Sequence, residues 1–170
     1  STSGIVCFDT NALRRLNAID ERITVASVAN FDRVAAGQML ATIKIIPFAV
    51  PQFVLEEAVR VARESSISVA PFLPHNAGLV ITRLPSTKAS IIDKRRKVIA
   101  DRLQSASSRL AEVAIIDHET AKVAAALAAM AAKGHSPLLV FSASAIVDRD
   151  DIVPAALVAA GGHIERLGMP

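Results

Sequence analysis

Tryptophan and tyrosine are absent from this chain, and cysteine occurs once, at Cys7. A single thiol excludes an internal disulfide and supplies no metal-ligand set. Within the apolar stretch "GIVCF" it reads as a small buried hydrophobe. The six phenylalanines do not interleave with the basic residues, so the stacking platform that single-stranded nucleic acid needs is missing. No apolar run approaches the ~20 residues of a membrane span. The stretch from Gly4 to Phe8 is too short, and too closely followed by charge, for a secretory h-region. These absences point to a soluble, cytoplasmic protein with neither membrane nor nucleic acid as partner.

What is present is a chain of 170 residues, long enough to bury roughly 70% of its unfolded surface on folding. The formal net charge is +3, with Lys88, Lys94, Arg95, Arg96 and Lys97 close together; such a run is usually the solvated face of a helix. Prolines, Asn76 and Gly78 in "PFLPHNAG" punctuate the chain and divide a small α/β block, residues 1–74, from a second domain, residues 78–170. In the first block "GIVCF", "ITVASVA", "QMLATIKII" and "SISVAPF" read as strands. A helix capped by Asp9 runs through "TNALRRLNAID", and another starts at Pro51 and presents Val54, Ala58, Val61 and Ala62 on one face.

The second domain alternates more regularly. Strand "GLVITRL" is followed by a helix with Ile92, Ile99 and Leu103 on one stripe, strand "RLAEVAIID", a helix begun by Asp117 and ended by Lys133 and Gly134, strand "PLLVF", a helix from about Asp151, and strand "GHIERLG". Strands alternating with helices of this length predict an α/β fold: a mostly parallel sheet with helices on both faces.

In such a sheet ligands collect beyond the carboxyl ends of the strands. The segment "TRLPSTKAS" offers Thr82, Ser86, Thr87 and Ser90 with Arg83 and Lys88 at a helix start, a setting that attracts phosphate or carboxylate. A proline turn with a Ser or Thr cap explains it as well. In "HSPLLVFSASAIVDRDDIVPAAL" a greasy strand opens into Ser142, Ala143 and Ser144, small enough for a flat ligand to approach the backbone. On spacing alone Asp150 or Asp151 caps the next helix, with Pro154 in its first turn. That leaves Asp148 and Arg149 unexplained, and a capping carboxylate can also face a hydrated Mg²⁺ held with substrate phosphate. With Asp117 of "IIDHE" leaving a strand end on the same edge, two carboxylates and a small-residue turn would converge beside the anion loop.

These residues resemble the molybdopterin-binding domain of molybdenum-cofactor biosynthesis proteins, over roughly residues 78–170. In that family a strand leads into Thr-Gly-Gly-Thr-Gly, and an Asp-x-x-Pro follows at a helix start. Here Ser142, Ala143 and Ser144 occupy the Thr-Gly-Gly places, and Asp151 with Pro154 the Asp-x-x-Pro. The family's Pro-Asp-Glu is matched by Ile116, Asp117 and His118. "AAGQMLATIKIIPFAVP" is similar to a subgroup sometimes fused to a molybdenum-cofactor nucleotidyltransferase. The subgroup continues past the position of Pro170, so the second domain is expected to be truncated at its C-terminus.

The resemblance implies a three-layer α/β/α fold that binds molybdopterin or the molybdenum cofactor, with Mg²⁺ as companion. Ser86, Thr87 and Lys88 would hold phosphate, joined by Thr82; Ser142, Ala143 and Ser144 would face the pterin with Asp148 nearby. Asp117 and Asp151 would position the metal, and would be the catalytic residues of an adenylyl- or molybdenum-transferring enzyme. That enzyme is one alternative to a binding domain. A non-binding assembly module, a homo-oligomer packed through the Ala-rich helix over residues 119–133, is the other.

Overall fold

The computed structural model describes residues 2–64 and 66–168. The protein is mixed α/β and divides into two compact units, residues 1–72 and 73–170.

The first unit holds strands β1 (Gly4–Cys7), β2 (Ile23–Ser27), β3 (Arg33–Val34), β4 (Ala41–Ile45) and β5 (Ser68–Pro71), with helices α1 (Thr10–Asn17) and α2 (Gln52–Glu64). All its strand pairs are antiparallel: β1 lies between β3 and β5, and β2 pairs with β4. Asp9 caps α1, its carboxylate accepting the Asn11 N–H at 2.8 Å. The core joins Leu16 of α1, Ile23 and Val25 of β2, and Val54, Ala58 and Val61 of α2. The α2 residues recur at the i, i+4, i+7 spacing of one helix face. Ala62, expected on that face, is exposed.

The second unit holds β6 (Asn76–Arg83), α3 (Ala89–Ser105), β7 (Arg109–Asp117), α4 (Thr120–Ala132), β8 (Leu138–Phe141) and α5 (Ile152–Ala159). The three strands form a parallel sheet in the order β7, β6, β8. The central strand is buried continuously from Ala77 to Thr82, as a parallel strand covered on both faces requires. Val80 packs with Val123, Leu127 and Met130 of α4 and Ala156 of α5 on one face, while Leu79 and Ile81 pack with Ile92 of α3 on the other. The layers are therefore α/β/α. At Gly78 α4 comes so close that an added Cβ would lie 2.7 Å from Met130 Sδ and 2.9 Å from Leu138 Cδ2.

The expected strand "GHIERLG" is not observed. Gly161 has φ +88°, its N–H donates to the Val158 carbonyl, and the Gly162 N–H reaches back to Leu157. This is the Schellman ending of a helix, and it spends the glycines on closing α5. Gly134 (φ +77°) and His135 close α4 by the same pair of bonds, to Ala131 and Met130.

Two expected helix caps are also corrected. Asp117 does not cap α4: the N-cap is Glu119, without a side-chain cap bond. No Ser or Thr caps α3, whose N-cap is Lys88; the Thr87 hydroxyl instead takes the Leu84 N–H at 2.9 Å. Met169 and Pro170, where the expected truncation falls, lie outside the described residues. Among the described residues no helix is long and apolar enough to cross a membrane.

Candidate functional site at the strand ends

Parallel register decides which side chains meet at the carboxyl edge of the second unit. Thr82 stands opposite Ile116 and Arg83 opposite Asp117, while β8 ends at Phe141 opposite Ile81. The residues that follow, His118 after β7 and Ser142 to Ser144 after β8, therefore flank the end of β6. The His118 N–H extends the ladder by one bond, donating to the Arg83 carbonyl at 3.1 Å.

Thr82, expected on the loop, lies inside β6 and is fully buried. Its Oγ1 accepts the Ala143 N–H at 2.7 Å and lies 3.0 Å from His118 Nδ1. The other ring nitrogen, Nε2, is 2.9 Å from Ser144 Oγ. A threonine hydroxyl has one hydrogen and two acceptor lone pairs, so Thr82 holds the Ala143 N–H and pairs with Nδ1 in either direction. The two His118 tautomers reverse the donors along the whole chain. Ser144 is exposed, so its hydroxyl also faces solvent.

The small-residue turn is spent on its own geometry. Ala143 N–H goes to Thr82, and Ser144 N–H to Ser142 Oγ at 3.3 Å. The amides of Ala143 and Ser144 are thus both occupied, and the exposed Ser144 carries a hydroxyl beside them.

Asp117 sits in a cluster of charge. Lys122 Nζ is 2.6 Å from one carboxylate oxygen and Arg83 Nε 3.5 Å from the other. The Lys122 ammonium, first, and then Arg83 hold the Asp117 carboxyl below its usual range, and Lys122 is raised in return. Glu119 shares Lys122 at 2.9 Å. With Glu119 counted, two cations face two carboxylates, so this cluster is balanced and carries no surplus positive charge.

Asp148 and Asp151 form a reciprocal turn ahead of α5. Asp148 Oδ1 accepts the N–H groups of Asp150 (2.9 Å) and Asp151 (3.1 Å); Asp151 Oδ2 accepts those of Val147 and Asp148. This is the bonding of a capping box, set three residues before the helix, and it supplies the role that spacing left open for Asp148. Asp151 stands at the N-cap position without bonding the helix itself. The amides of Val147 and Asp148, and the nearness of His118, lower its pKa.

Of the other expected phosphate ligands, Ser86 and Lys88 are exposed and Thr87 is committed to its turn. Among the described residues the side chains of Ser86 and Lys88 make no hydrogen bond, so both are available to a ligand. No group of three or more His, Cys, Asp or Glu side chains gathers as a metal cage among the described residues. His118 and Lys122 were not foreseen as site residues. The signal for His118 was its place directly after a strand end, readable only once β6 and β7 are known to be neighbours in register.

The fold and these strand ends define an α/β/α unit with a polar cluster on the carboxyl edge of a parallel sheet. Compared with known proteins, the chain matches no family model, and no curated protein or solved structure matches it significantly.

Proposed function

We propose that the second unit is a binding domain for molybdopterin or its molybdenum-loaded form, taking part in molybdenum-cofactor biosynthesis. The observation that carries the reading is the Thr82, His118, Ser144 chain, which ties the ends of all three parallel strands together and turns one hydroxyl outward. Ser144 would donate to an oxygen or ring nitrogen of the pterin. Lys88 would neutralise the phosphate, with Ser86 donating a hydrogen bond to it. Mg²⁺ enters only as companion of that phosphate, with Asp117 and Asp151 as its carboxylates; both already hold other donors, and no step depends on it.

Anaerobic calorimetric titration with molybdopterin, with and without Mg²⁺, tests the proposal. Binding that is lost in Ser144→Ala and weakened tenfold or more in Lys88→Gln is expected. No heat and no protection against thermal unfolding would remove it.

One observation favours a second reading, as an assembly module. A cavity of about 360 Å³ between α4 and α5 is lined by apolar side chains including Leu127, Val153 and Leu157, of which Leu157 is 37% exposed. A second copy of the chain would cover this face. Sedimentation that stays monomeric at high micromolar concentration rejects it.

A further inference from the structure

The opposite face of the same sheet carries a groove that the reading above does not use. It lies between α3 and the end of β8, has a volume of about 760 Å³, and is walled by Ile91, Val98, Ile99 and Phe141 with Lys94, Arg95 and Arg102 among them. That volume falls within the range typical of small-molecule sites. No carboxylate is among its lining residues.

Three observations converge on the chemistry of an occupant. First, the guanidinium of Arg95 lies over the Phe141 ring, its carbon 4.3 Å from the ring centroid, so a planar cation is held flat on an aromatic wall. Second, Arg95 Nη1 is buried and has no hydrogen-bond partner. No protein acceptor claims this nitrogen, so the guanidinium is not tied by a hydrogen bond there and its place rests on the Phe141 contact. Third, α3 carries Lys94, Arg95, Arg96, Lys97 and Arg102 against Asp93 and Asp101. That surplus equals the net charge of the whole chain. Asp101 is already paired, with Lys97 at 3.2 Å, which leaves the three groove cations without an acidic partner on the groove wall.

We infer that this groove binds a small aromatic anion: a flat apolar body against Ile91, Val98, Ile99 and the Arg95 plane, with one carboxylate, sulfonate or phosphate on Arg95 and the rim cations Lys94 and Arg102. The apolar wall supplies area, the guanidinium supplies a fork for the acid group, and the exposed lysine and arginine at the rim raise its local concentration. The site is independent of molybdopterin binding and stands if that proposal fails.

The test uses the full chain and two fluorescent probes that share an aromatic body but differ in charge: 8-anilinonaphthalene-1-sulfonate and neutral N-phenyl-1-naphthylamine. The sulfonate is expected to bind saturably, at least tenfold more tightly than the neutral probe. Its Kd should rise fivefold or more in Arg95→Gln and in the Lys94→Gln, Arg102→Gln double variant, while the neutral probe's Kd stays within twofold. Equal affinity for the two probes overturns the inference, because the groove is then an apolar patch without an anion site. Unchanged sulfonate binding in the double variant overturns it too. That arm decides the case even if Arg95→Gln unfolds, since Lys94 and Arg102 are exposed.

Discussion

At the scale of single residues, Thr82 is where stability and site coincide. One buried hydroxyl receives the Ala143 amide and orients the His118 ring. Thr82→Val keeps the shape and removes both bonds, leaving a buried N–H and a ring nitrogen unpaired; a loss of about 1–3 kcal/mol is expected. It would appear as a lower urea midpoint with unchanged slope. Thr82→Ser keeps the hydroxyl and should recover most of it, whereas a Thr82→Val protein as stable as the native chain would show that the turn needs no such tie. Acid stability is a second readout at this scale. The Val147 and Asp148 amides depress the Asp151 pKa, so its contribution is complete above the unfolded carboxyl value of about 3.9 and is lost as pH falls through the folded value. Asp20, held down to about 2 by its paired Arg22, acts in the same direction. Asp151→Asn is therefore expected to lower the urea midpoint at neutral pH and to bring it level with the native protein at the acid limit. A difference that is constant with pH would mean the carboxylate's charge does not contribute.

Elements were largely legible because their signals are local. The apolar run that opens at Gly78 reads as a strand and forms the buried centre of the sheet, and the end of α4 follows from the Ala-rich stretch closed by Gly134. Residues 162–168 failed because Gly162, read as the first residue of a strand, is needed together with Gly161 for the Schellman ending of α5. The expected caps failed for a related reason. Asp117 has stronger partners in Lys122 and Arg83 than the α4 amides, and Thr87 serves the turn at Leu84. Packing between elements makes its own prediction at Gly78. Gly78→Ala places a methyl against Met130 Sδ and Leu138 Cδ2, and such overpacking costs about 1–3 kcal/mol. Met130→Ala alone opens a cavity and costs about 2–5 kcal/mol. The double variant should cost less than the sum by 1 kcal/mol or more, since each change relieves the other, and strict additivity in urea unfolding would place the Met130 thioether elsewhere.

For the molecule as a whole, sequence alone could not show which side chains meet at the strand ends. Thr82, His118 and Ser144 lie 36 and 26 residues apart in sequence, and their meeting depends on register between strands joined by whole helices. Charge is divided as unevenly as chemistry. Residues 1–72 carry seven basic and seven acidic side chains, residues 73–170 twelve and nine, so the net charge belongs to the second unit, where both proposed ligands are anionic. That unit has a sheet covered on both faces and a core on each, and at 98 residues it is as long as many independent domains. Residues 73–170 produced alone are therefore expected to unfold cooperatively in urea with helical circular dichroism. Thr82→Val should lower the unfolding free energy of the fragment by the same amount as in the full chain, within about 0.5 kcal/mol. A fragment that unfolds without cooperativity, or in which the substitution has no effect, would show that the Thr82, His118, Ser144 chain depends on residues 1–72. Agreement between the two values would let ligand binding at the strand ends and in the α3 groove be measured on the second unit by itself.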